Sequence, residues 1–308
     1  MSGREAIALA VQLAGLALAP LLVGGVQTVK ARLQGRRGSG PLQPYRELRR
    51  LWGRSAVDPI GTGPVYRAAP VAVGAALALC LLVVPVAAVG TGWPAGHDLL
   101  VVIGLLALAR VAMALSAWDT GGGFGMMGAS RDLGFAAVGE ALLVAVALVA
   151  SIPAGTTDLR AMWAASAGPD VWAEPGHWCG AIAMGLVVVL ETGRQPIDNP
   201  DTHLELTMIH EGPLLEYAGR DLAVLQWAAA ARHWVVLVLA AGLFLPHPSD
   251  FAGGLAALAL GVIVLVVALG VTETWHAKMR LLRVPPILLA GTALALLGVV
   301  SWAAGGGA

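Results

Sequence analysis

Cysteine is nearly absent from this chain. Of 308 residues only Cys80 and Cys179 are cysteines, each in or at the edge of an apolar segment, and no CxxC or Cys/His cluster exists. Disulfides, iron–sulfur clusters and zinc sites therefore have no ligand set, and no cofactor is expected in this chain. Both thiols read as small buried apolar residues. Charge is scarce too: 12% of residues are charged, against about 25% in a soluble domain. No internal repeat is evident, which weighs against transporter folds built from inverted repeats. Gly121-Gly122-Gly123 has no Lys-Ser/Thr after it. It is a flexible connection rather than a phosphate loop, as is the glycine tail at 305–307. Net charge is zero, and nothing points to nucleic acid as a partner.

What the chain does have is apolar sequence, 57% of it. Runs near the roughly 20 residues that cross a bilayer recur from end to end. Spans are expected over 6–29, 69–90, 98–118, 133–152, 177–193, 222–245, 251–271 and 284–304. The fold class is thus all-α integral membrane, a bundle of about eight transmembrane helices. Residues 1–308 form a single polytopic domain, with cytoplasmic loops at about 30–68 and 191–221. The fifth span is the shortest, its unbroken apolar core running only from Cys179 to Leu190. The first apolar stretch is longer than the roughly 7–15 residues of a signal-peptide core and is read as a retained helix.

Basic residues are unevenly placed. Lys30, Arg32, Arg36, Arg37, Arg46, Arg49, Arg50, Arg54 and Arg67 crowd the first loop, opposed only by Glu47 and Asp58. The positive-inside rule makes this loop cytoplasmic and puts the N-terminus outside. With eight spans the loops on the opposite side then carry a single basic residue, Arg160. The lipid bilayer, most simply the inner (plasma) membrane of a cell, is the expected location.

Ionisable groups at membrane depth are costly and read as functional. Glu140 lies nine residues after Arg131, about 13–14 Å along a helix and on its opposite face, so each needs a partner elsewhere. Glu140 is read as a proton-carrying carboxylate facing the bundle interior, or else as a neutral packing acid. Arg232 and His233 fall in the middle of the sixth span, where an arginine demands a carboxylate or a watery cavity. Glu140 and Glu191 are the candidate partners. Arg110 in the third span makes a similar demand, or else snorkels toward the inner face. Gln12 and Gln226 read as interhelical hydrogen bonders.

The densest acidic stretch follows the fifth span. ETGRQPIDNPDTHLELTMIHEGPLLEYAGR, residues 191–220, carries Glu191, Asp198, Asp201, Glu205, Glu211 and Glu216, with Asp221 just beyond. If the helix continues past Glu191, Arg194 shares its face and can pair with it. Pro196 breaks that helix, and Asn199-Pro200 predicts the start of another. That second helix would line up Asp201, Glu205 and Met208, as a hydrated proton path, an acidic docking ridge or a solvated face. His210-Glu211 lacks the second histidine of HExxH, so no metal site is expected.

These residues resemble the membrane-anchor subunit of membrane-bound nickel–iron (NiFe) hydrogenases, of the formate hydrogenlyase subunit 4 type. That family is similar to the quinone-site membrane subunit of respiratory complex I, which shares the Glu-Thr-x-Arg-x-Pro-x-Asp-x-Pro opening. ARLQGRRGSGPLQPYRELRRLW resembles the first cytoplasmic loop of both, and GASRDLGFAAVGE their fourth-span motif. Asp-Asn-Pro, Thr-His-Leu-Glu-Leu and a longer run before Glu216-Tyr217 favour the hydrogenase branch over the quinone-site subunit.

The resemblance implies a proton path through Glu140, Glu191, Asp198, Asp201 and Glu205, with Arg131, Arg194 and Arg232 as counter-charges. It implies docking of soluble subunits on Arg36, Arg37, Tyr45, Glu211 and Glu216. The implied partners are hydrogenase large and small subunits, an iron–sulfur subunit and antiporter-like membrane subunits. The NiFe centre and iron–sulfur clusters would lie in those partners. A structural anchor that conducts nothing is the plainer alternative.

Overall fold

A computed structural model describes residues 3–86, 96–198, 209–248 and 250–305. Within them the chain is helical, with no β-sheet and a single isolated bridge between Asp98 and Asp158. The helices are α1 (Gly3–Leu33), α2 (Gln43–Trp52), α3 (Pro64–Val83), α4 (Leu99–Thr120), α5 (Gly123–Ser151), α6 (Leu159–Ser166), α7 (Pro169–Ala173), α8 (Pro175–Glu191), α9 (Gly219–Phe244), α10 (Phe251–Trp275) and α11 (Val284–Ala304). Among the described residues, α1, α3, α4, α5, α9, α10 and α11 are long and apolar enough to cross a membrane. The eighth expected span, α8, has 17 residues, or about 26 Å at 1.5 Å per residue, and stops short.

The expected spans coincide with these helices apart from their ends. α5 begins ten residues before the apolar run, because Gly121 caps α4 in the left-handed conformation and Gly122 is already the N-cap of α5. The triple glycine is therefore a tight, ordered turn and not a flexible link. The Glu216 carboxylate packs against it: a Cβ on Gly122 would fall 2.1 Å from Glu216 Oε1.

Polar side chains tie the bundle across long sequence separations. Gln12 Nε2 donates to the Leu82 and Val84 carbonyls at 3.1 and 2.9 Å, joining α1 to the end of α3 as an interhelical bonder should. Trp227 Nε1 donates to Leu16 O at 2.8 Å, joining α9 to α1. At the end that carries the basic loop, Tyr66 and Tyr217 stack with ring centroids 4.3 Å apart. Tyr66 Oη donates to Glu216 O at 2.7 Å, and Tyr217 Oη lies 2.6 Å from Ser116 Oγ. This clasp fixes the 3-10 turn Gly212–Glu216 onto α3, α4 and α5. α2 follows a proline start and lies across α1 and α9 at the same end.

Close approach of backbones needs residues without a side chain. A Cβ on Gly128 would meet Gly212 Cα at 2.8 Å and Pro213 Cδ at 2.9 Å, whereas one on Gly134, also on α5, would meet nothing within 4 Å. Gly128→Ala should therefore cost about 1–3 kcal/mol through forced separation of α5 from the 210s turn. Gly134→Ala should be neutral or slightly stabilising. Thermal unfolding of the two variants in detergent checks the contrast, and equal midpoints would contradict it.

Candidate functional site

The site exists because α8 ends inside the protein. Gly193 adopts φ +60°, and its N–H bonds back to Leu190 O at 3.0 Å while Arg194 N–H reaches Val189 O at 3.2 Å, closing the helix with a left-handed cap. Glu191, Thr192, Arg194, Ile197 and Asp198 are all buried. Irregular backbone is tolerated at such depth only where protein or a cavity surrounds it. Here it delivers one acid and one base into the bundle within four residues.

Arg110 of α4, only 3% exposed, is the hub. Its Nη2 bonds Glu191 Oε1 at 2.7 Å, its Nη1 lies 3.4 Å from Glu140 Oε1, and its Nε lies 3.6 Å from Asp132 Oδ1. Arg232 of α9 takes the second Glu191 oxygen at 3.1 Å. Of the two readings of Arg110 the demand for carboxylates holds and the snorkelling does not: three carboxylates from two other helices hold it within the bundle. Arg232 does find Glu191, one of its two candidate partners. Glu140 finds Arg110.

The expected Glu191–Arg194 pair does not form, because the helix stops at Glu191 and the turn carries Arg194 away. Arg194 Nη1 instead lies 3.3 and 3.2 Å from the two oxygens of Glu273 on α10, which also holds Lys30 Nζ of α1 at 3.2 Å. Arg194 Nε points to His233 Nε2 at 3.4 Å, and His233 Nδ1 faces Ala229 O at 2.9 Å. That pattern fits a neutral ring protonated on Nδ1.

Asp198 accepts from Lys278 Nζ at 2.9 Å, and its Oδ2 lies 3.3 Å from both the backbone N and Nδ1 of His210. His210 Nε2 faces Asp132 Oδ1 at 3.6 Å. Burial alone would raise Asp198, but His210 and Lys278 outweigh it and hold the carboxyl well below the usual range. Burial would likewise lower His210, yet the Asp198 hydrogen bond and the charges of Asp132 and Asp198 raise it. Among the described residues the network joins Asp132, Glu140, Glu191, Asp198 and Glu273 to Lys30, Arg110, Arg194, Arg232 and Lys278.

Two cavities meet here. One, of about 110 Å³, is lined by Arg110, Asp132, Glu191 and Arg232. The other, of about 600 Å³, lies between α1, α2 and α9 and reaches Gln27, Glu47, Arg194, Asp198 and Glu211. Of the remaining expected residues, Arg131 is half-buried on α5, and Arg36 and Arg37 are exposed in the α1–α2 loop. Tyr45 is partly buried, its hydroxyl donating to Ala17 O at 2.5 Å. Asp201 and Glu205 lie outside the described residues. Asp132 and Glu273 were not singled out by sequence. Their only signal was charge in apolar surroundings, an Asp in the α5 motif and a Glu at the end of a long apolar helix.

The sequence pattern of the family described as NADH dehydrogenase matches residues 5–303. The chain belongs to the NADH dehydrogenase family. Within that relationship it is 34% identical to formate hydrogenlyase subunit 4 of Escherichia coli over 301 residues, covering 92% of this chain and 94% of the relative. It is 32% identical to hydrogenase-4 component C of the same organism, covering 94% and 93%. An NADH-quinone oxidoreductase subunit of Chlorobaculum parvum is 25% identical, covering 80% and 73%. A chain in the structure of a membrane-bound sulfane sulfur reductase, an archaeal respiratory membrane complex, shares the fold with a TM-score of 0.83 at 20% identity, over 97% of this chain and 99% of that one. This family member is a multi-pass membrane protein whose relatives are subunits of larger complexes.

Arg110→Met should destabilise the fold by about 3–5 kcal/mol, because Asp132 loses its arginine and Glu191 loses the nearer of its two cations while both stay in the bundle. Glu191→Gln should cost less in that background than alone, where it strips a contact from Arg110 as well as from Arg232. Thermal midpoints of the single and double variants in detergent check this, and strictly additive losses would refute the pairing.

Proposed function

We propose that this chain is the membrane subunit of a hydrogenase complex of the formate hydrogenlyase kind. It docks soluble redox subunits at its basic end and passes protons through buried carboxylates toward neighbouring membrane subunits. In this reading the basic end is cytoplasmic, the N-terminus is outside, and the membrane is the inner (plasma) membrane. The chain holds no redox centre; the NiFe centre and iron–sulfur clusters belong to the large, small and iron–sulfur subunits that dock on it.

One observation carries the proton path. The Arg110 cluster runs from the loop after α8 to Glu140 on α5, whose side chain is 39% exposed although Arg110 beside it is buried. A carboxylate open to the side at membrane depth is poorly matched to lipid. It suits a face covered by another membrane subunit, the place where antiporter-like partners fit. Identity of 34% and 32% to the two hydrogenase components, each over more than 90% of both chains, supports this branch.

A second reading, a quinone-site subunit of an NADH:quinone oxidoreductase, is favoured by the cavity of about 600 Å³ beside Arg194 and His233. A quinone analogue that inhibits turnover of the purified complex would select it.

Glu140→Gln keeps size and hydrogen bonding but removes the titratable proton. The complex should assemble, and proton movement coupled to turnover should fall at least about tenfold. Unchanged coupling would leave a structural anchor as the better reading. Docking is tested separately. Arg36 and Arg37 are exposed on the α1–α2 loop, where they can steer an acidic partner surface. Reversing both to Glu should release the soluble subunits from membranes in a salt-sensitive manner, measured by co-sedimentation; full retention would move docking elsewhere.

A further inference from the structure

The two cavities share a wall, formed by Thr192, Gly193, Leu214, Ala229 and two histidines, His210 and His233. Asp198 lines only the larger cavity and Asp132 only the smaller. His210 stands between them, with Nδ1 3.3 Å from Asp198 Oδ2 and Nε2 3.6 Å from Asp132 Oδ1. Its ring lies against Gly193, where an added Cβ would fall 3.1 Å from Nδ1.

The contacts along the network are uneven. Those around Glu191, Asp198 and Glu273 lie between 2.7 and 3.3 Å. At Asp132 they open out: Arg110 Nε and His210 Nε2 both stand 3.6 Å from the same Oδ1, and both are buried without a hydrogen-bond partner. Two buried nitrogens flanking one carboxylate, each just beyond bonding distance, mark the point where the chain is broken but close to making. A shift of less than about 1 Å, or one water, would close either gap.

We propose that His210 and Asp132 form a proton gate between the two cavities, His210 taking protons on the Asp198 side and Asp132 receiving them on the membrane side. This rests on the proton-passing reading above and names its point of entry. The step moves one proton and no electrons. The Nε2–H bond of the imidazolium breaks and an O–H bond forms on Asp132, leaving a neutral imidazole and a carboxylic acid. A flip of the ring about Cβ–Cγ then turns the bare Nε2 toward the larger cavity, where it regains a proton, and brings the protonated Nδ1 to face Asp132. Asp132 gives its proton onward to the Arg110-bound carboxylates, of which Glu140 is the one open to the side.

Among the described residues, the charged and titratable groups facing His210 are Asp198 and, through it, Lys278 from the loops, Asp132 from α5, Arg110 from α4, Glu191 from α8, and Arg232 and His233 from α9. The acids among them favour the imidazolium and the arginines oppose it. Its folded-state value is raised. The charged ring therefore persists to higher pH than a free imidazole and is lost as pH climbs through that raised value.

The test uses the assembled complex in sealed membrane vesicles, with His210→Gln, Asp132→Asn, Asp132→Glu and, as reference, Glu140→Gln. Proton movement per electron and its pH profile are read together with thermal stability. The gate predicts that His210→Gln and Asp132→Asn assemble and lose at least tenfold in proton movement. It also predicts that Asp132→Glu restores most of the loss, and that the native decline on the alkaline side vanishes in His210→Gln. Unchanged proton movement in His210→Gln and Asp132→Asn, with Glu140→Gln impaired, would overturn the gate while leaving the proton path standing. If Glu140→Gln also conducts normally, the proton-passing reading itself falls. A loss that follows thermal midpoints alone, without rescue by Asp132→Glu, would make the pair a structural tie and end the proposal.

Discussion

The guanidinium of Arg110 sets the terms for the half of this bundle that carries the basic loop. Removing an arginine from water is expensive and is offset only by well-placed anions. At 3% exposure Arg110 has Glu191 at 2.7 Å, Glu140 at 3.4 Å and Asp132 at 3.6 Å. Each of its three nitrogens faces a different carboxylate, drawn from α5 and α8. Glu191 in turn neutralises Arg232, so α4, α5, α8 and α9 meet at one electrostatic centre. Without the acids the arginine could not stay; without the arginine the acids would sit unpaired in apolar surroundings.

That centre explains the short fifth span. A helix that ran on past Glu191 to the surface would carry Arg194 and Asp198, now buried, out of the bundle. Ending α8 early lets the buried turn present Arg194 in the opposite direction, toward Glu273 and Lys30. The C-terminal ends of α1 and α10 are thereby fastened to the same loop that feeds Arg110. Pro196 O accepts from Met279 N–H at 2.9 Å, and Lys278 reaches Asp198, so the α10–α11 connection closes over it.

The fold was largely legible in sequence because hydropathy and length speak directly to membrane spans. The acids Glu140, Glu191 and Asp198 were legible for the same reason, charge being costly among apolar neighbours. The pairings were not. Arg110 meets Glu191 across 81 positions and Arg194 meets Glu273 across 79, and no local period encodes such contacts. The local rule that was available, a partner three residues on, failed at Glu191–Arg194 because it presumes a helix that Gly193 terminates. Glu47 and Arg50, where α2 does continue, obey it.

The network also sorts its carboxylates by how firmly each is held. Neutralising Glu191 would deprive Arg110 and Arg232 of contacts at 2.7 and 3.1 Å together. Glu273 likewise joins Lys30 and Arg194 at once. Such residues suit anchorage, since every proton they accept unpairs two buried cations. Glu140 and Asp132 each touch Arg110 only at 3.4 and 3.6 Å, and Arg110 keeps Glu191 when either is neutral. A path for protons needs sites whose occupation costs little more than their vacancy. In the proposed path those are the loosely held acids on α5, one facing His210 and the other facing outward. The tightly held acids around them would keep the arginine in place while a proton moved.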